Sequence, residues 1–469
     1  MKPLSFYCST SCLLGMILSF GSVCFGADTR TPQENRSAES IVIEHVTVLS
    51  MAPGSAPLSD ATVVIRGDRI SAINAPSAAI NATRIDGRGK WLIPGLTDMH
   101  VHVENVRMIR LMLRAPDVPQ SAVRSEDVFA PYLANGVLQI FDLQGMAESI
   151  GRRGEIEAGH LRGPRIVTAA MIDGVPPIWP LGMTRVAATP EDGRQAVRDA
   201  AAEGYDAIKV YSQLTLETFT AIVDEARKLN LPVVGHIPER HKGTTAEFFQ
   251  PGFRMVAHAE EFALCTAAPD ISAIPRYIEM MKKNGTWLTS TLSLDERLVE
   301  ETEKPETLKE RREIQILHPL WRTVVLDHNP YVAQRSPERI EFLKRVVAFN
   351  RELIRAFVAA GVPVVAGTDS MVPGVVPGYS MHDELEALTR AGMSRQQALE
   401  AATRLPCEWL GLGADRGTIE TGKRADLVLL DANPLEDITN TRRIAGIFLG
   451  GKYIPSATLN EWMDALAKR

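Results

Sequence analysis

The chain has 469 residues, 45% of them hydrophobic and 23% charged, and a formal net charge of −6. That length admits one large domain or two to three average ones, and the composition is ordinary for a globular protein. With no basic stripe, arginine-rich tail or interleaved aromatic pattern, a nucleic-acid partner is excluded.

The N-terminus runs from Lys2 through an apolar stretch at 13–25 to the small residues Gly26 and Ala27, followed by a polar segment. This order predicts a secretory signal peptide over 1–27, with export to the periplasm or the medium. The stretch is short of the ~20 apolar residues of a membrane span, so no stable span remains after cleavage. Of five cysteines, Cys8, Cys12 and Cys24 fall in this leader. Cys265 and Cys407 remain, too few for a disulfide framework, and whether they pair is open.

Residues 41–90 alternate β-rich runs with turn signals and read as antiparallel strands. From Pro94 to about Leu412 short β-rich runs alternate with helical stretches, the pattern of a parallel sheet wrapped by helices. Strands are expected near 93–99, 137–141, 165–169, 206–210, 231–235, 254–257, 286–290 and 362–366. Eight such units predict a (β/α)8 TIM barrel over 93–412. A long charged insert, 294–357, with prolines at 305, 319, 330 and 337, reads as several helices and is a candidate lid. Strands return in 417–431 and 444–451. Segments 38–92 and 413–455 are therefore expected to form one small β-sandwich domain from both ends of the chain, with a C-terminal helix over 456–469.

The run Gly95-Leu96-Thr97-Asp98-Met99-His100-Val101-His102 carries the strongest local signal. Residues i and i+2 of a strand share a face, so two imidazoles spaced this way can close on one metal ion. Alone, the pair reads equally well as two ordinary strand histidines. In a barrel, functional side chains cluster where strands end at the C-terminal mouth. Lys209 lies among apolar residues of a buried strand, where a charge is costly. His236, His258 and Asp369 close the predicted fifth, sixth and eighth strands.

The ordered set His-X-His, Lys, His, His, Asp, together with Ala425-Asp426-Leu427-Val428-Leu429 near the end, resembles the amidohydrolase superfamily, in its imidazolonepropionase-like and prolidase-like group. The resemblance spans essentially the whole chain beyond the leader. It implies a carbamylated Lys209 bridging two divalent ions, zinc by default, with His100, His102 and Asp369 on the more buried ion and His236 and His258 on the more exposed one. It further implies a shared hydroxide as nucleophile and Asp369 as proton carrier. Tyr211, two residues beyond Lys209, is placed to polarise the carbonyl or hold a substrate carboxylate; packing at the barrel rim is its other reading. His382 is a candidate for supporting the site from behind, against a helix-capping or surface role.

The expected activity is hydrolysis of an amide in a small molecule such as a dipeptide, an N-acyl amino acid or an amide xenobiotic. A homo-oligomer is compatible with this. The segment Val210-Tyr211-Ser212-Gln213-Leu214-Thr215 departs from the Ala-Thr-Gly-Gly-type run of many prolidase-like relatives, which weighs against Xaa-Pro specificity. Three other readings stand beside it: a mononuclear deaminase, for which His236-Ile237-Pro238-Glu239 offers a His-X-X-Glu run; a lactone or ester hydrolase; and a non-catalytic scaffold.

Overall fold

A computed structural model describes residues 40–74, 82–103, 106–238 and 245–469; the expected leader and Glu239 of the His-X-X-Glu run lie outside the described residues. Eight parallel strands follow one another round a sheet: Leu96–Val101, Val137–Gly145, Arg165–Asp173, Ala207–Val210, Val233–Gly235, Phe253–Ala257, Trp287–Thr289 and Val364–Val365. The first and last close the ring. The Asp369 N–H donates to the His100 carbonyl at 2.7 Å, the His102 N–H to the Ser370 carbonyl at 2.8 Å, and the Met99 N–H to the Ala366 carbonyl at 3.0 Å. The barrel expected from the alternating pattern is thus formed, and its seam lies between two site-bearing strands. Met99, Phe141, Leu143, Ala169, Ala207, Val234, Met255, Ala257 and Val365 pack together with Trp409 as an apolar core.

The first strand begins later than expected. Trp91–Pro94 pairs with Leu427–Leu430 in a second sheet, and the chain enters the barrel only at Leu96. This second sheet has eight strands drawn from both ends of the chain. It is not wholly antiparallel, because Thr83–Asp86 and Trp91–Pro94 both run parallel to Ser40–Val48. The helix Ser456–Ala467 packs on Ser125–Ala134, with the Arg162 guanidinium 3.9 Å from the Trp462 ring centre. Among the described residues no helix is long and apolar enough to cross a membrane.

The insert between the seventh and eighth strands is helical, and its four prolines start helical segments rather than break them. Pro305, Pro319, Pro330 and Pro337 each occupy the first turn of one. There the missing N–H would lack an intrahelical partner anyway. Leu294, Leu298 and Leu343 of the insert pack on Val375, with Tyr331 and Val372 against them, so the insert sits on the segment that leaves the eighth strand.

Candidate metal centre

Strand alternation delivers part of the site and deviations from it deliver the rest. Ala207 packs in the barrel core and Lys209, two residues on, shares its side; Val234 and His236 repeat the relation. On the first strand, however, Asp98 pairs with Ile140 and Val101 with Asp142, so three steps on one strand meet two on the other. Such a bulge re-aims side chains. It lets Met99 join the core while His100 and His102 both reach Asp369. His258 and Asp369 take positive φ, 84° and 60°, just beyond their strands, and turn inward there.

Two glycines permit the close approach of strands that this requires. A Cβ on Gly235 would stand 2.0 Å from the Val210 carbonyl oxygen, and one on Gly367 would stand 2.9 Å from the His100 backbone nitrogen. Each glycine lies within two residues of a candidate ligand.

The six residues expected at the site are brought together. His100 Nε2 lies 3.2 Å from Lys209 Nζ and 3.2 Å from Asp369 Oδ1, and His102 Nε2 lies 2.8 Å from the same oxygen. The His100 and His258 rings are 4.4 Å apart, and those of His236 and His258 5.0 Å. Ligand atoms of His100, His258 and Asp369 all fall within 4.8 Å of one another. His258 is buried, and the side chains of His102 and His236 are 16% and 12% exposed.

The donor set suits a cation. Burial holds the His100, His236 and His258 imidazoles well below their usual pKa, so each presents a lone pair. His236 Nδ1 is 3.0 Å from a Glu261 carboxylate oxygen and 3.2 Å from the Ser212 hydroxyl, which fixes its proton there. Its Nε2 is buried and has no hydrogen-bond partner among the described residues. His258 Nδ1 sits 3.0 Å from the Thr291 hydroxyl, which leaves Nε2 for the cluster. Burial also lowers the Lys209 amine to about 8. Buried acceptors without donors are costly unless a positive charge occupies the space between them.

Tyr211 stands beside this group, its ring 4.3 Å from that of His236 and 5.5 Å from Lys209 Nζ. Burial pushes its phenol upward, so it stays a hydrogen-bond donor. His382 is not part of the site, nor does it lie on the surface. It is buried in the helix Tyr379–Arg390 with Nδ1 2.9 Å from the Thr441 hydroxyl, and burial holds it at about 3. A helix following the eighth strand turns this face toward the 3-10 turn Ile438–Arg442 rather than to the mouth.

Sequence reasoning missed the residues that hold the ligands. Glu261 braces His236 and also accepts the Ile237 N–H at 2.9 Å. Asp98 accepts from the Thr368 N–H at 2.9 Å, the Thr368 hydroxyl at 2.6 Å and the His100 N–H at 3.2 Å, tying the first strand to the eighth beside both ligands. Asp98 lies inside the run 95–102, and its position two residues before His100 was the available signal.

A family model for the amidohydrolase family matches residues 91–454. The chain belongs to that family, whose members are metal-dependent hydrolases. It is 22% identical over 464 residues to an ochratoxinase of Aspergillus niger, covering 88% of this chain and 86% of the relative. A segment covering 18% of the chain is 35% identical over 89 residues to an imidazolonepropionase of Thermoplasma acidophilum, 20% of whose length it spans. The fold is similar to that of a putative prolidase from Bifidobacterium longum, with a TM-score of 0.68 and 24% identity over 92% of this chain and 99% of the other.

Proposed function

We propose that this chain hydrolyses an amide bond in a small molecule such as a dipeptide, an N-acyl amino acid or an amide-bearing xenobiotic. The observation that carries the reading is the convergence of four imidazoles, one carboxylate and one buried lysine at the mouth of the barrel. The similarity to an ochratoxinase and to the structure of a Xaa-Pro dipeptidase points the same way.

The donor set fits two divalent cations, zinc by default, with His100, His102 and Asp369 holding one, His236 and His258 the other, and Lys209 between them. Bound there, the ions would acidify a water and act as Lewis acids on the scissile carbonyl. Lys209 would serve as a ligand after its neutral amine adds to carbon dioxide: the N–C bond forms, the nitrogen releases a proton to solvent, and a carbamate results whose single negative charge is shared by two oxygens. The Asp369 carboxylate accepts the proton of the attacking water and returns it to the departing nitrogen, which cannot leave as an anion. The Tyr211 hydroxyl donates to the carbonyl oxygen as charge builds on it, or holds a substrate carboxylate. Residues 1–27 direct the enzyme out of the cytoplasm, so its substrate is met there.

The test is a screen of the purified, metal-loaded protein against dipeptides, N-acyl amino acids, aryl amides and lactones, with a metal count. Amide turnover with about two ions per chain is expected. Turnover of a lactone or a nucleobase alone, or one ion per chain, overturns the proposal.

A further inference from the structure

Beyond the third barrel strand, the loop Gly174-Val175-Pro176-Pro177-Ile178-Trp179-Pro180-Leu181-Gly182-Met183 exposes large apolar side chains: Val175 at 48%, Ile178 at 47% and Leu181 at 79%. It is built to hold that shape. The buried Asp173 carboxylate accepts the Gly174 N–H at 2.8 Å and the Gln213 N–H at 2.7 Å on one oxygen, and the Ile178 N–H at 2.9 Å on the other. At the far end the Arg107 guanidinium donates to the Gly182 carbonyl at 2.9 Å while pairing with Glu148 at 2.8 Å. Three prolines restrict the backbone further. Apolar side chains fixed in water in this way mark a contact surface.

The loop is continuous with the site. Its Asp173 anchor binds Gln213, two residues beyond Tyr211, and the Tyr211 N–H itself donates to the Ile172 carbonyl at 3.0 Å. The approach is so close that a Cβ on Gly174 would stand 1.9 Å from the Gln213 carbonyl oxygen. Trp179, partly buried against the core, lies within hydrogen-bonding reach of the Tyr211 phenol. Three exposed side chains fall far short of the ~800 Å² that each partner buries in a stable protein interface. They match one hydrophobic group of a small molecule.

Resting on the amide-hydrolase reading above, we propose that residues 174–183 form an apolar shelf that binds a hydrophobic group of the substrate, aromatic or branched aliphatic, beside Tyr211. The probes are two sulfonamides that resist hydrolysis, N-(naphthalene-2-sulfonyl)glycine and N-(methanesulfonyl)glycine. Their binding to the metal-loaded enzyme is measured by calorimetry. The wild type is expected to bind the naphthalene compound roughly tenfold more tightly, from the apolar area covered. The exposed double variant Ile178→Ser/Leu181→Ser brings the two within about twofold. Leu58→Ser, an exposed apolar site on the other sheet, keeps the preference.

No preference in the wild type, or a preference intact in the double variant, overturns the shelf. A fall in oligomeric mass by light scattering with the preference unchanged also overturns it, and makes the loop a contact between copies. Loss of the preference in the double variant with no amide turnover by any form leaves the shelf standing and sinks the amide reading instead.

Discussion

Replacing Glu261 by alanine tests whether the arrangement behind the histidines governs the centre. One Glu261 oxygen lies 3.0 Å from His236 Nδ1, and the other accepts the Ile237 N–H at 2.9 Å. Losing the partner that orients a ligating imidazole costs about 10- to 100-fold in metal affinity. The Ser212 hydroxyl, 3.2 Å from the same nitrogen, survives the change and holds part of the orientation. The single variant should therefore sit near the lower end, about tenfold or ~1.4 kcal/mol, and Glu261→Ala/Ser212→Ala nearer 100-fold. Separately, the buried Ile237 N–H loses its acceptor, which costs about 1–3 kcal/mol of stability. Glu261→Gln keeps one carbonyl oxygen for two donors and turns an NH2 toward the other, so its loss is intermediate. Zinc retention against a competing chelator reads the first effect, and urea unfolding of the metal-free protein reads the second. A Glu261→Ala protein that keeps zinc within about twofold of wild type refutes the reasoning, whatever its stability.

Asp369→Asn should cut amide turnover by about 10²- to 10⁴-fold, because the amide cannot carry the proton, while much of the metal stays bound; an unimpaired rate in steady-state kinetics sinks that role. With Lys209 lowered by burial from 10.5 to about 8, its neutral amine dominates above pH 8 rather than only above 10.5. Metal uptake by the metal-free enzyme at constant dissolved carbon dioxide should then rise with pH up to about 8 and level off, and a rise that continues toward pH 10 contradicts it. Glu384 accepts the Leu292 N–H at 3.1 Å, the Ser293 N–H at 2.7 Å and the Ser290 hydroxyl, all buried at the start of the insert. Glu384→Ala should destabilise the fold by on the order of 3 kcal/mol in denaturant unfolding, and a loss below about 1 kcal/mol refutes the capping role.

Much of the candidate centre was legible because each ligand stands where a strand stops. Lys209 was conspicuous as a charge inside an apolar run, and His236 and Asp369 as polar residues closing such runs. Glu261 was not legible, because Ala259-Glu260-Glu261 reads as an ordinary acidic helix start. Its pairing with His236 joins the segment after the sixth strand to the segment after the fifth, a relation fixed only when the barrel closes. His382 went the other way: its place after the eighth strand suggested the mouth, but its helix faces Thr441.

The sequence by itself determined the order of the elements and the chemical types at their ends, because periodicity and strand length are local properties. It did not determine where those ends point. The bulge at Asp98–Val101, the positive φ of His258 and Asp369, and the seam hydrogen bonds between His100 and Asp369 are set by closing eight strands into one ring. Closure leaves few ways to pack neighbouring strands. That constraint, which no single segment carries, turns separate strand-end residues into one cluster.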